Sequence, residues 1–328
     1  MKLKSANHSH YPKIGETDEQ HKLRQAYHLF DRKKISTFQV VKVQQDVTRE
    51  AIEEQEKAHL DVVTDGLILW NDPISHIMKN LEGVKIGGLL RFFDTNFYFR
   101  QPEITGPILR KSSLLKEEAA FLKRHTAKGE TKVVLTGPYT LAVLSKISTP
   151  AYKTSREVAQ ALAQVLAEEI KDLADSGINH IQIDEPGFFL QRPDWKWLSG
   201  LFEKLCSQKG KAKIWLTTYF GDVAPLYARL QELPVDVLGV DVTYSPTLLD
   251  LIRKEGSQKD LALGFLDGRN TKLENLKEVV HELKSLEKKV AQDKTVYVTT
   301  SCGLEYLPQD KAIKKLKLLE EINHAYSR

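Results

Sequence analysis

The chain has 328 residues, 41% of them hydrophobic and 28% charged, with a formal charge of +4. That suits one large soluble α/β domain or two ordinary ones, with ample core. Lys and Arg are interspersed with Glu and Asp and no basic stripe carries interleaved aromatics, which disfavours nucleic acid. No apolar run approaches the length of about 18 residues that a membrane helix needs. The start, MKLKSANHSHYPKIGE, has no apolar leader segment. The two cysteines, Cys206 and Cys302, show no framework spacing, which points to a reducing compartment. The cytoplasm is the expected location.

In chain order, residues 1–59 read as an N-terminal extension, helical over 46–61. Strand-like runs follow: LDVVTDG (60–66), VKIGGLLRFFD (84–94), TKVVLTGP (131–138), INHIQIDEP (178–186), AKIWLTTYF (212–220), VDVLGVDVT (235–243), LALGFLDG (261–268) and TVYVTTSCG (295–303). Helical patterns lie between several of them, at 114–129, 156–177 and 275–291, and another closes the chain at 311–326. The clearest is 156–177, where Val158, Ala161, Leu162, Val165, Leu166, Ile170 and Leu173 fall three or four apart and Gly177 stands where a helix would end. Apolar strands alternating with helices predict a parallel sheet. Seven or eight such strands predict a single (β/α)8 TIM barrel over 1–328. No glycine-rich dinucleotide fingerprint follows the first strand, so NAD is not expected.

Active sites of such barrels sit at the C-terminal strand ends. Polar residues collect there: Asp65, Thr136, Asp184 with Glu185, Thr218 with Tyr219, Asp241, Asp267 with Arg269, and Cys302. In IQIDEPGF (181–188), alternation along the strand sends Asp184 and Glu185 to opposite faces. Pro186 ends the ladder and holds Glu185 extended. One acid can then enter a site while the other pairs elsewhere. Cys206 reads as a helix core position.

These residues resemble the cobalamin-independent methionine synthase family, whose two halves are each a (β/α)8 barrel. YPKIGE (11–16), FFDTNFYFRQPE (92–103), LTTYFGDV (216–223), DGRN (267–270) and SCGL (301–304) are similar to its N-terminal half in order and spacing. The resemblance implies methyl transfer to homocysteine, and neither cobalamin nor PLP. In the family's catalytic half a His-x-Cys pair, a Glu and a Cys hold zinc, which lowers the thiol pKa of homocysteine. Here Thr217 and Tyr219 occupy the His-x-Cys positions, Asp241 the Glu position and Cys302 the Cys position. The set is incomplete, with His180 and His76 as the histidines that folding could recruit. The resemblance also assigns Asp184 to the amino group of homocysteine, with Glu185 as a second contact or a brace. It assigns Arg91, Lys22 (in ETDEQHK, beside His21) and Lys13 to the polyanionic tail of a folate polyglutamate.

Three readings follow. The chain is a stand-alone N-terminal-type barrel that works with a separate zinc-bearing barrel. Or it is a binding or scaffold barrel that lost the chemistry, or a different methyltransferase on the same fold.

Overall fold

The computed structural model describes every residue except Glu16 and Asp18, so the acidic ends of the YPKIGE and ETDEQHK motifs lie outside the described residues. Among the described residues there are eleven strands, in order β1 (Lys2–Ser5), β2 (Val62–Val63), β3 (Leu81–Arg91), β4 (Tyr98–Arg110), β5 (Glu130–Thr136), β6 (Lys146–Ile147), β7 (His180–Asp184), β8 (Lys213–Thr218), β9 (Val237–Asp241), β10 (Asp260–Leu266) and β11 (Thr295–Thr300). Eight of them form one sheet in the order β1-β11-β10-β9-β8-β7-β5-β2. A parallel bridge from Ala6 to Val62 brings the end of β1 back to β2 and closes that order. This is the strand arrangement of a (β/α)8 barrel, as the alternation predicts.

Two elements differ from the sequence reading. The stretch read as an extension already contains a barrel strand, because KLKS pairs in parallel with Thr295–Val298. It is short and charged, so hydrophobic pattern does not reveal it. VKIGGLLRFFD (84–94) does not join the eight-stranded sheet. Its first part belongs to β3, which pairs antiparallel with β4 in a separate sheet ordered β3-β4-β6. Leu89 and Leu90, at 60% and 44% exposure, are apolar without being buried.

The chain divides into two compact units: Met1–Leu69 with Ala120–Lys132 and Val240–Arg328, and Trp70–Ala119 with Val133–Gly239. The first holds the helices Thr37–Lys57, Leu276–Leu286 and Gln309–Tyr326. Ser36 and Gln39 close a capping box at the start of Thr37–Lys57. In the second unit the helix Ser155–Asp175 starts at Thr154, whose hydroxyl accepts from the Glu157 amide at 3.3 Å. Its stripe Val158, Leu162, Val165, Leu166, Ile170 and Leu173 is buried, and Gly177 follows with φ +83° in the left-handed region.

The same helix carries a buried acid. Glu169 is fully enclosed and accepts from Arg110 Nη2 at 2.6 Å, Ser113 Oγ at 3.0 Å and the amides of Leu114 and Leu115 at 2.7 and 2.9 Å. It ties the end of β4 and the loop before helix Lys116–His125 to the long helix. Removing it leaves the two amides and the Ser113 hydroxyl without their acceptor and takes from Arg110 its buried partner, leaving it Asp172. Glu169→Ala should lower the unfolding free energy by about 3–5 kcal/mol, read from urea unfolding.

Candidate functional site

The polar strand ends fall into a group in each unit. In the unit that contains β7, Ile181 and Ile183 point into apolar packing while Gln182 and Asp184 share the other face. Asp184 is 4% exposed. Its Oδ1 accepts from Gln182 Nε2 at 2.8 Å and from the Thr217 hydroxyl, and its Oδ2 takes the Tyr219 hydroxyl at 3.3 Å. Thr217 and Tyr219, which stand where the family's zinc ligands would be, here serve as donors to Asp184. Gln182 Oε1 and Thr218 Oγ1 are buried and have no hydrogen-bond partner among the described residues.

Glu185 turns the other way, with φ −124° and ψ 55°. Its carboxyl accepts from the Tyr139 amide at 2.9 Å, the Thr140 amide at 2.7 Å and the Thr140 hydroxyl at 2.5 Å. The Gly137 amide donates to the Asp184 carbonyl at 2.8 Å, and the Glu185 amide donates to the Thr217 carbonyl at 2.8 Å. Gly137 has no side chain because a Cβ there would lie 2.2 Å from the Glu185 carboxyl. Burial pushes Glu185 up from 4.5 to about 8, against the pull of its three donors, and the Asp184 charge adds to the rise. Glu185 therefore braces the strand end, and Asp184 is held on the other face by side-chain donors.

In the other unit, Asp241 ends β9 at 1% exposure. Its Oδ1 accepts from the Thr243 amide and hydroxyl and the Tyr244 amide, at 2.8, 2.7 and 3.2 Å. Its Oδ2 is buried and unpartnered among the described residues. Burial raises its pKa from 3.8 to about 6, and the Asp267 charge adds to this. Cys302 is buried beside it. Enclosure, then the charges of Glu305 and Asp241, push its thiol well above the usual range. Among the described residues no three His, Cys, Asp or Glu side chains gather as a metal-holding group. The histidines available for recruitment are engaged elsewhere. His180 Nδ1 accepts from Trp215 Nε1 at 3.0 Å, and His76 Nε2 lies 2.9 Å from Glu118 while its ring stacks on Trp70. The residues present do not fit a zinc site built on Cys302 and Asp241.

The cations expected for an anionic tail stand on different elements. Arg91 is exposed and folds over its own hairpin turn, donating to the carbonyls of Thr95 at 2.5 Å and Asp94 at 3.4 Å. Lys22 pairs with Glu50, and Lys13 is half-buried. Cys206 ends helix Trp195–Cys206 in a buried position. Sequence reasoning missed the Glu185 cradle at Tyr139 and Thr140. The Gly-Pro pair closing β5 was the available signal, since it forces a turn whose amides need an acceptor.

The sequence profile of a family described as cobalamin-independent synthase, N-terminal domain, matches residues 79–291. A methionine synthase from Sulfolobus acidocaldarius is 30% identical, aligned over 90% of this chain and 85% of its own. One from Saccharolobus solfataricus is 28% identical over 91% and 89%. Among solved structures, a B12-independent methionine synthase from Shewanella sp. W3-18-1, in complex with selenomethionine, has a TM-score of 0.80 at 22% identity and covers 100% of this chain and 98% of its own. The putative vitamin-B12 independent methionine synthase of Listeria monocytogenes has a TM-score of 0.74 at 16% identity, covering 99% of each.

Glu185 keeps its proton in the folded chain up to about pH 8, whereas the unfolded chain loses it from about pH 4.5. Its stabilising contribution is full below pH 4.5 and is lost as pH rises toward 8. Glu185→Gln should flatten that decline, which has a maximum slope of about 1.4 kcal/mol per pH unit. Denaturant unfolding at several pH values measures it; an unchanged slope in the variant would contradict a buried, protonated Glu185.

Proposed function

The chain belongs to the cobalamin-independent methionine synthase family, and from that premise we propose that it is a stand-alone N-terminal-type barrel that binds homocysteine or methionine through Asp184 and works with a separate zinc-bearing barrel. One observation carries this reading. Asp184 is held by Gln182, Thr217 and Tyr219, while Cys302 and Asp241 have no third His, Cys, Asp or Glu gathered with them among the described residues. The residues at the positions of the family's zinc pair orient a carboxylate instead. A carboxylate at a strand end is a suitable partner for an α-ammonium group, through a charge-assisted hydrogen bond. Thiol activation then has to come from the second barrel, where zinc would turn homocysteine into a thiolate nucleophile.

Within this chain the steps are binding and orientation. Tyr219 and Thr217 fix the Asp184 carboxylate, Glu185 locks the strand end behind it, and Asp184 receives the ammonium. Arg91, Lys13 and Lys22 are the proposed contacts for a folate glutamate tail. Lys22 would exchange Glu50 for a tail carboxylate. The mixed charge of the surface and the lack, among the described residues, of a helix long and apolar enough to cross a membrane accord with a protein of cytoplasmic metabolism.

Calorimetry with L-homocysteine and L-methionine tests the first part. The wild type should bind one of them, and Asp184→Asn should weaken it by at least about tenfold, the loss of one charge-assisted hydrogen bond. Methyl transfer from a methyl-folate triglutamate, assayed with and without an added zinc-bearing barrel, tests the second. Activity of the lone chain equal to that of the mixture would refute the division of labour.

A further inference from the structure

Charge is mixed along most of this chain, but not over residues 20–45. Six Lys or Arg and one acid, Asp31, fall there, so the stretch carries a net +5 in a chain whose total is +4. It contains the helix Lys22–Asp31 and the first turns of Thr37–Lys57, which form a hairpin within the unit that begins at Met1. Residues 30–39 are its tip, and all of them except Ile35 are exposed.

The tip has a fixed backbone. The Lys34 amide donates to the Leu29 carbonyl and the Lys33 amide to the Phe30 carbonyl, both at 2.8 Å. This is the paired bonding of a Schellman helix end. Lys33 takes the left-handed position, φ +56°, that ordinarily falls to glycine. The capping box of Ser36 and Gln39 then starts the second helix. Farther back, Gln44 Nε2 donates to the Tyr27 hydroxyl at 2.8 Å and ties the two helices together.

Two kinds of side chain project from this frame. Arg32, Lys33, Lys34 and Lys42 are exposed and make no ion pair among the described residues. Lys22, nearer the start of the hairpin, is by contrast paired with Glu50. Beside the free cations stand Phe30, Phe38 and Val41, all exposed. Phe38 is 77% exposed, more than any other large apolar side chain among the described residues. Phe38 and Lys42 lie one turn apart on the second helix and so share a face.

Scattered apolar side chains on a surface need no partner, but a cluster ringed by one sign of charge does. A net-positive tip attracts an anionic surface. The apolar side chains stand out from the tip and line no groove, so the occupant has to take them in. It must be anionic at its face and apolar just beneath. A bilayer with anionic headgroups has that order, and it holds helices that carry basic clusters beside an aromatic residue.

We propose that the tip from Phe30 to Lys42 docks on an anionic lipid bilayer, with Phe38 entering the acyl boundary and Arg32, Lys33, Lys34 and Lys42 on headgroup phosphates. The contact is peripheral and reversible. It uses none of the residues around Asp184 and does not rest on the methionine-synthase reading.

Sedimentation of the full chain with vesicles tests it. Vesicles of phosphatidylglycerol and phosphatidylcholine in equal parts carry the protein down, vesicles of phosphatidylcholine alone do not, and added salt releases it. Lys34→Gln combined with Lys42→Gln weakens the binding by at least about tenfold. Phe38→Ser weakens it by at least about tenfold as well. These substitutions change exposed side chains, and unchanged far-UV circular dichroism shows that each variant is folded; if one is not, the other gives the reading. Absence of wild-type binding to the anionic vesicles overturns the proposal, and so does equal binding to both kinds of vesicle. A folded Phe38→Ser that binds as tightly as the wild type also overturns it, and assigns the tip to an acidic macromolecule held by charge alone. Homocysteine binding through Asp184 is untouched by any of these results.

Discussion

The geometry around β7 depends on one buried carboxyl. Glu185 sits on the amides of Tyr139 and Thr140 and on the Thr140 hydroxyl, in a space that exists because residue 137 is glycine. The contact joins the end of β7 to the turn after β5. Two backbone bonds grip the same strand end, one from Gly137 and one to Thr217. With the chain fixed on both sides, alternation along the strand leaves Asp184 one direction to point. Thr217 and Tyr219 then meet it from β8 and the residue just after it. Two adjacent acids thus have different duties: one holds the backbone and the other faces a ligand.

The same enclosure governs chemistry in the other unit. Cys302 and Asp241 sit where the resemblance to the family's catalytic half would place metal ligands. Burial and neighbouring negative charge push the thiol pKa up. A bound metal would itself draw off that proton, so what the pair lacks among the described residues is a third ligand. At the positions where the resemblance would place a His-x-Cys pair, Thr217 and Tyr219 are hydroxyl donors to the Asp184 carboxylate and hold the acid still.

Much of this was legible in the sequence, for reasons that particular residues make clear. The barrel followed from apolar runs alternating with helices, and helix Ser155–Asp175 with its Gly177 stop followed from spacing alone. KLKS was not legible as β1, because four residues, two of them lysines, are too few to carry a periodic signal and their pairing with β11 is long-range. VKIGGLLRFFD misled in the other direction. Its apolar content suits a buried strand, yet Leu89 and Leu90 are exposed in a hairpin outside the eight-stranded sheet. At the site, IQIDEP announced a divergence of two acids, but not the partner of each. The partner of Glu185 lies 45 residues away in sequence, and only the fold brings it there.

Buried polar groups in this chain fall into two kinds, and the difference separates scaffold from site. Glu169 with Arg110, and Lys315 with Glu274, are closed sets in which charge meets charge and donors meet acceptors. Such sets hold elements together and offer a ligand nothing. Gln182 Oε1 and Thr218 Oγ1 in one unit, and Asp241 Oδ2 in the other, are buried atoms without a hydrogen-bond partner among the described residues. An unmet buried acceptor costs about 1–3 kcal/mol, and a fold that retains several at its strand ends carries that cost where a bound molecule can relieve it. Asp310 Oδ1, in the first turn of the last helix, is unmet as well, so an unmet atom does not by itself mark a site. Thr218 and Asp241 differ from it in ending β8 and β9, the strand ends at which (β/α)8 enzymes place their ligands.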